Sequence, residues 1–477
     1  MRVSEYFGLA RAQPDLDFVD VDIWGDIPIF VDPRALRVLP SQWASDCKSL
    51  AQNFFHTVLD AIRKGRHDDA RWLLRRLREP NETHLGYSRQ KARGHALGPE
   101  SAAGVWDALS RSEAVKSGLL EDLEDTILMV EGIGPDIVSD ITTNVIREPL
   151  IHYTQYVCSM YDIPMRNNVD SGPLWDPKRR AWKSEFVALP VTSRGKLLLV
   201  PKSIVRRHMD YDLNEYYRHY LLEHLAEVEI SANTELVILL KDGRKKVYIR
   251  DLKEKYGEGK CAVVEITRQY PDVLERYRDA KKAHVAPPLD HSELAETTGT
   301  DMPDWKALLH EVTKIRPGPH DADRYHRAVE RLLTSLFYPA LSSPELEYRI
   351  HQGRKRIDIK YVNAATGGFF GWLSWNYPAP HVFVECKNYK GDPANPELDQ
   401  LAGRFSPSRG KFGLLVCREF KDKPLFVQRC RDTAQDQRGF IIALDDGDLE
   451  SLVEGLQPDA PPEKFDLLRK RFEELTM

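Results

Sequence analysis

The stretch from Arg354 to Gln400 places the narrowest limits on what this chain can fold into. It reads RKRIDIKYVN, then an aromatic-rich insert, then HVFVECKNYKGDPANPELDQ. Asp358 sits in an alternating apolar segment with Ile357, Ile359 and Tyr361, which predicts a strand. Glu385 and Lys387 flank Cys386 at the end of a second strand-like run, Val382-Phe383-Val384. Successive side chains of a strand point to opposite faces, so Glu385 and Lys387 emerge together. An acid and an amine at a strand end are costly to bury unpaired. A divalent ion held by Asp358 and Glu385, with Lys387 beside it, relieves that cost, because hard carboxylate oxygens suit Mg²⁺.

A chain of 477 residues exceeds what one core serves and predicts two or three domains. Nothing in it approaches the run of about eighteen apolar residues that spans a membrane. The N-terminal residues turn acidic too early for a secretory signal, and Cys47, Cys158, Cys261, Cys386, Cys417 and Cys430 form no Cys-x-x-Cys pair. That usage argues against a zinc ribbon or a disulfide framework, and a reducing cytoplasm is the expected home. The net charge of -5 excludes a globally basic binder, while leaving room for a local basic patch.

Taken in order, residues 1–161 read as a helix-rich sensor or interaction domain. Asp15, Asp17, Asp20, Asp22, Asp26 and Asp32 open it. They suit either a second metal site or, preferably, turns and caps around a strand at Phe18 to Ile23. Ser41 or Ser45 caps a helix running to Ile62, and a basic glycine-containing loop follows Pro80. The Gly132-Ile133-Gly134-Pro135 turn admits two readings: a DNA-binding hairpin whose amides meet phosphate, or a tight turn whose Asp136 helps cap the next helix. Residues 162–285 read as an α+β middle domain with a strand at Cys261 to Ile266, and the polar, proline-containing segment 286–302 as a linker.

Residues 303–477 alternate helices and strands, which predicts an α/β domain with a mixed central sheet flanked by helices. The apolar stripe Ala328, Val329, Leu332, Leu333 and Leu336 marks a helix with Glu330 on its flank. Helix, strand, Asp, strand, Glu-x-Lys, helix is an order that resembles the PD-(D/E)XK nuclease superfamily, in particular its Mrr-like restriction endonuclease branch. The matching positions are Glu330 in YHRAVERLL, Asp358 in RKRIDIK, Glu385 and Lys387 in VECKNYK, and Gln400 in ELDQLAGRF. The resemblance covers about residues 303–455, and departs from the name-giving pattern in having no proline before Asp358.

That resemblance implies a restriction-endonuclease-like domain performing metal-assisted phosphodiester hydrolysis. Asp358, Glu385 and the main-chain carbonyl of Cys386 then hold Mg²⁺, for which Mn²⁺ can substitute; Lys387 orients the attacking water or stabilises charge. Glu330 assists from behind, and Gln400 holds a water or the phosphate. Arg354, Lys355, Arg356, Lys360, Lys390, Arg404, Arg409 and Lys411 cluster near this stretch and suit a nucleic-acid backbone, although charge also protects an edge strand. The insert, Ala364 to Pro380, carries Phe369, Phe370, Trp372, Trp375 and Tyr377. These side chains either stack on bases or, preferably, contact protein: the N-terminal region, a partner or a second protomer. The expected function is a DNA endonuclease of bacterial restriction or anti-phage type, controlled by its N-terminal region. The alternatives are a catalytically silent DNA-binding or assembly protein and an RNA-cleaving nuclease.

Overall fold

The computed structural model describes residues 1–86, 99–350, 352, 354–389, 395–456 and 465–477. Lys390 and most of the basic loop after Pro80 lie outside the described residues. The chain is rich in helix, and its C-terminal region carries a five-stranded mixed sheet. Among the described residues no helix is long and apolar enough to cross a membrane.

The N-terminal half is built on the helix Gln42–Arg63. Its start lies where the sequence signals it: Ser41 Oγ accepts from the Ala44 N–H at 3.2 Å. Phe54, Phe55, Val58, Leu59 and Ile62 recur at helical spacing and bury one face. The core formed there crosses the expected division at residue 161. Phe54 packs edge-on to Trp175 with ring centres 5.1 Å apart, and Tyr216, Val263 and Tyr277 join the same buried cluster. Residues on both sides of that division therefore contribute to one hydrophobic cluster.

Several local expectations are corrected. Phe18 to Ile23 is no regular strand, and its pairing is limited to the isolated bridges Phe18 with Pro201 and Arg2 with Asp22. Scattered backbone bonds, such as Val19 N–H to Val200 O at 3.0 Å, are joined by one side chain: Gln13 Oε1 accepts from the Asp20 N–H at 2.7 Å, and Gln13 Nε2 donates to Phe18 O at 2.9 Å. Cys261 to Ile266 lies in the helix Gly259–Gln269, because Val263, Val264, Ile266 and Thr267 bury a helical face that outweighs their β-branched preference. Residues 286–302 are not a free linker. They hold the helix His291–Thr298, capped by Asp290, with Leu289 and Leu294 buried and His291 Nε2 bonded to Ser335 O at 2.8 Å. Asp136 forms no cap bond, and its Oδ1 is buried without a hydrogen-bond partner.

The C-terminal region contains α1 (Trp305–Thr313), α2 (Ala322–Phe337), β1 (Leu341–Ile350), β2 (Lys355–Asn363), α3 (Gly368–Asn376), β3 (His381–Lys387), α4 (Asn395–Ala402), β4 (Phe412–Cys417), α5 (Lys423–Gln435), β5 (Phe440–Leu444), α6 (Asp446–Glu454) and α7 (Asp466–Thr476). The strand order is β1-β2-β3-β4-β5. The β1/β2 and β2/β3 pairs are antiparallel; β3/β4 and β4/β5 are parallel. Parallel neighbours require crossovers, which α4 and α5 supply. Strands β3 and β4 are buried almost end to end, as a sheet covered on both faces requires.

The aromatic insert does not form an outward protein contact in bulk. It folds as α3 and turns inward: Phe370 packs against Phe337 at 5.2 Å and Phe465 at 5.7 Å, and Trp372 against Phe472 at 5.4 Å. Trp375 remains 73% exposed. The apolar surface offered by α7 was invisible in sequence. Phe370→Ala should destabilise the protein by about 3–5 kcal/mol, and Trp375→Ala by less than about 0.5 kcal/mol. Denaturant unfolding of both variants measures the contrast, and equal losses would contradict this packing.

Candidate metal and catalytic site

The site lies where β2 and β3 run side by side. The register pairs Ile359 with Val384, and one step further sets Asp358 across from Glu385. Alternation then puts Asp358, Glu385 and Lys387 on one face of the sheet. The Cys386 N–H donates to Asp358 Oδ2 at 2.9 Å, fastening the two strand ends. Lys387 Nζ donates to Glu385 Oε1 at 2.8 Å and reaches Gln400 Oε1, on α4, at 3.4 Å. Four of the expected residues, Asp358, Glu385, Lys387 and Gln400, are thus brought together.

Glu385 carries the electrostatic tension of the site. It is 1% exposed, and its second oxygen, Oε2, has no hydrogen-bond partner among the described residues. Burial, followed by the charge of Asp358, pushes its pKa up, while Lys387 pulls the other way. An oxygen left bare in a dry site is a vacant acceptor for a cation. Together with Asp358 and the Cys386 carbonyl it makes an all-oxygen donor set of the kind Mg²⁺ takes. Among the described residues no group of three or more His, Cys, Asp or Glu side chains is placed to hold a metal, so two carboxylates and main-chain oxygen are what this chain offers.

Glu330 does not join them. Tyr361, on the face of β2 opposite to Asp358, donates to Glu330 O at 3.2 Å, and the Glu330 carboxylate is taken by partners outside the site. There Arg11 donates to both of its oxygens, and Thr334 Oγ1 adds a third bond at 3.0 Å. Burial by itself would lower the Arg11 pKa, but the charge of Glu330, the hydrogen bond to it and the nearby Tyr161 and Asp15 together outweigh burial and drive it up. One helical turn earlier, His326 does reach the site: its Nε2 lies 3.2 Å from Cys386 O and 3.8 Å from Asp358 Oδ2. His326 was missed in sequence, although it stands four residues before Glu330 on the same helical face. The helix is held in place from below, because Asn388 Nδ2 donates to Arg316 O at 3.1 Å and Gly318 O at 3.0 Å in the loop that precedes it.

The basic residues are largely committed to protein groups. Lys360 pairs with Glu345 over the Tyr348 ring, and Arg356 with Glu347 at 2.9 Å. Lys355 donates to Gly403 O at 3.2 Å, Arg404 to Arg356 O at 2.6 Å, Arg409 to Arg404 O at 3.1 Å and Lys411 to Gln437 O at 3.3 Å. Among the described residues Arg354 reaches only Gln352, at 3.3 Å. Arg354, Lys355 and Arg356 are exposed, whereas Lys360 and Arg404 are buried and serve the sheet.

The N-terminal aspartates are bonded to protein groups. Asp20 accepts from the Ser4 amide and hydroxyl, and Asp15 from the Ala12 N–H and Arg331. Asp17 takes the Tyr153 hydroxyl at 2.8 Å and the Ser343 N–H at 2.8 Å, and Asp22 the N-terminal ammonium at 3.0 Å. Asp32 accepts from the Arg34 N–H at 2.9 Å. The turn and cap reading fits Asp15 and Asp32, whereas Asp17 and Asp20 are held by groups distant in sequence.

Two outcomes follow from this geometry. A carboxyl whose folded pKa is raised costs stability as pH climbs from the ordinary carboxylate range through its raised value. Glu385→Gln should therefore melt higher than the unsubstituted protein in EDTA, with the gain shrinking as pH falls toward about 4; a pH series of thermal melts reads it. Arg11→Met strands a buried carboxylate and should cost about 3–5 kcal/mol. Adding Glu330→Gln should recover part of that loss, which a denaturant double-mutant cycle measures.

A family described as a domain of unknown function (DUF8370) matches residues 8–212. The span takes in Arg11 and Asp15, the partners of Glu330 and Arg331 on α2, and ends before the sheet. No curated protein and no solved structure matches the chain.

Proposed function

We propose that this chain is a Mg²⁺-dependent endonuclease of the PD-(D/E)XK type acting on DNA, a restriction or anti-phage effector whose C-terminal nuclease domain answers to the N-terminal region. The observation that carries this reading is the buried, unpartnered Glu385 Oε2 beside Asp358 and Lys387 on one sheet face. The strand order, two antiparallel pairs followed by two parallel ones with helices between, suits a restriction-endonuclease-like core.

Asp358, Glu385 and the Cys386 carbonyl would hold the ion. Bound Mg²⁺ supplies a water of lowered pKa and neutralises charge on phosphorus. Lys387, steadied between Glu385 and Gln400, directs its ammonium at that water or at the developing charge. His326 shares the Cys386 carbonyl and so limits how that oxygen is presented. Glu330 has no part in the chemistry; its work is to anchor α2 to the N-terminal segment.

A catalytically silent DNA-binding reading draws on the same His326 contact and on the commitment of the basic residues to protein groups. Plasmid DNA and structured RNA incubated with Mg²⁺, Mn²⁺ or EDTA separate the readings. Metal-dependent nicking of DNA, abolished by Lys387→Ala and retained in Glu330→Gln, is the expected result. Cleavage that persists in Lys387→Ala would sink the assignment.

A further inference from the structure

A strongly cationic exposed element stands apart from the candidate metal and catalytic site. Ile238–Leu239 and Lys245–Lys246 form an antiparallel hairpin, with Leu239 opposite Lys245 and Ile238 opposite Lys246. Its turn, Lys241-Asp242-Gly243-Arg244, places Gly243 at φ +83, a conformation that favours glycine. Lys241, Arg244, Lys245, Lys246 and Arg250 are all exposed, in a chain whose net charge is -5. Within the hairpin and its exit only Asp242 opposes them, bonded to Arg244, while Asp251 beyond it takes Arg250 at 3.1 Å. Lys245 donates to Asn233 Oδ1 at 2.7 Å, and Lys246 lies 5.1 Å from the Tyr248 ring centre. Lys241 has no partner among the described residues.

Apolar side chains stand among these cations. Leu239 is 71% exposed, Ile249 57% and Tyr248 46%, and a surface cavity of about 470 Å³ is lined by Lys246 to Arg250. Val247 alone turns into the core and fixes the exit of the hairpin. Cations and apolar groups alternate here: Leu239 faces Lys245 across the ladder, and Tyr248 with Ile249 lies between Lys246 and Arg250. A membrane-surface segment separates the two kinds of residue onto opposite faces. A nucleic acid presents phosphates and flat base surfaces within a few ångströms of one another, which an interleaved surface matches. A two-stranded ribbon also fits the major groove of a duplex.

We propose that the hairpin Ile238–Lys246 and the adjoining residues to Arg250 bind a nucleic acid, with the cations on phosphate and Tyr248 and Ile249 against bases or sugars. The proposal rests on the nuclease reading only in choosing DNA; its charges and exposed apolar groups stand apart from Asp358 and Glu385.

The test is fluorescence anisotropy of the full chain with a labelled 30-base-pair DNA in EDTA, where cleavage plays no part. Substituting Lys241→Glu, Lys245→Glu and Lys246→Glu together should weaken binding at least tenfold. The slope of log affinity against log salt should fall by about 0.9 for each phosphate that is no longer neutralised. Tyr248→Ala should weaken binding severalfold without changing that slope. Equal affinity and slope in the triple variant with an unchanged melting temperature would overturn the proposal. So would loss of binding to phosphatidylserine vesicles in that variant with DNA binding intact. Absence of nicking under every metal condition, with hairpin-dependent binding retained, would defeat the nuclease reading and leave this one standing.

Discussion

Glu385 lies almost wholly out of water next to a second carboxylate, and the arrangement of the C-terminal region answers that expense. Removing an ion from water costs several kcal/mol even after relaxation, on the order of what one domain can spare. The sheet meets part of it with Lys387, two residues away and therefore on the same face, and with the Cys386 amide, which secures Asp358. One oxygen stays bare. A structure selected only for stability would carry a neutral side chain at that position, so the bare acceptor points toward ligand binding.

Helix α2 joins this site to the rest of the molecule by presenting different residues in different directions. Val329, Leu332, Leu333 and Leu336 enter the C-terminal core, and His326 reaches the Cys386 carbonyl. Glu330 and Arg331 pair with Arg11 and Asp15 from the N-terminal segment. Both of those pairs are at least partly buried, where screening by salt is weak. The next residues continue the junction: Tyr338 packs into the N-terminal cluster, and Lys202 lies 3.9 Å from its ring centre. Any displacement of the N-terminal segment would therefore act on the same helix that carries His326.

Most of the sheet was legible because its residues signal locally. The strand of Asp358 and the strand of Glu385 are β-branched and aromatic runs, and each formed where its residues signalled it. The helix bearing Glu330 followed from its apolar stripe. What failed had two-sided burial or a distant partner. The segment Phe18 to Ile23 alternates in sequence yet buries Phe18, Val19, Val21 and Ile23 alike, and its hydrogen bonds go to scattered partners, among them Gln13, Val200 and Met1. The helix at Gly259–Gln269 carries strand-forming residues on a face that helical packing buries.

By itself the sequence determined that Glu385 and Lys387 share a face, because the two-residue period of a strand leaves no alternative once the strand forms. It also determined that Asp358 belongs to an adjacent apolar strand and that Gln400 follows on a helix. Tertiary structure decided the roles of the remaining charged residues. Glu330 lost its place at the site because a guanidinium more than three hundred residues earlier was available to pair with it. Lys360 and Arg404 became structural through partners on neighbouring segments, and the aromatic insert became core because α7 lay against it. Periodicity is written in adjacent residues, whereas the partner of a charge or a ring is chosen by whichever group the folded chain brings within a few ångströms.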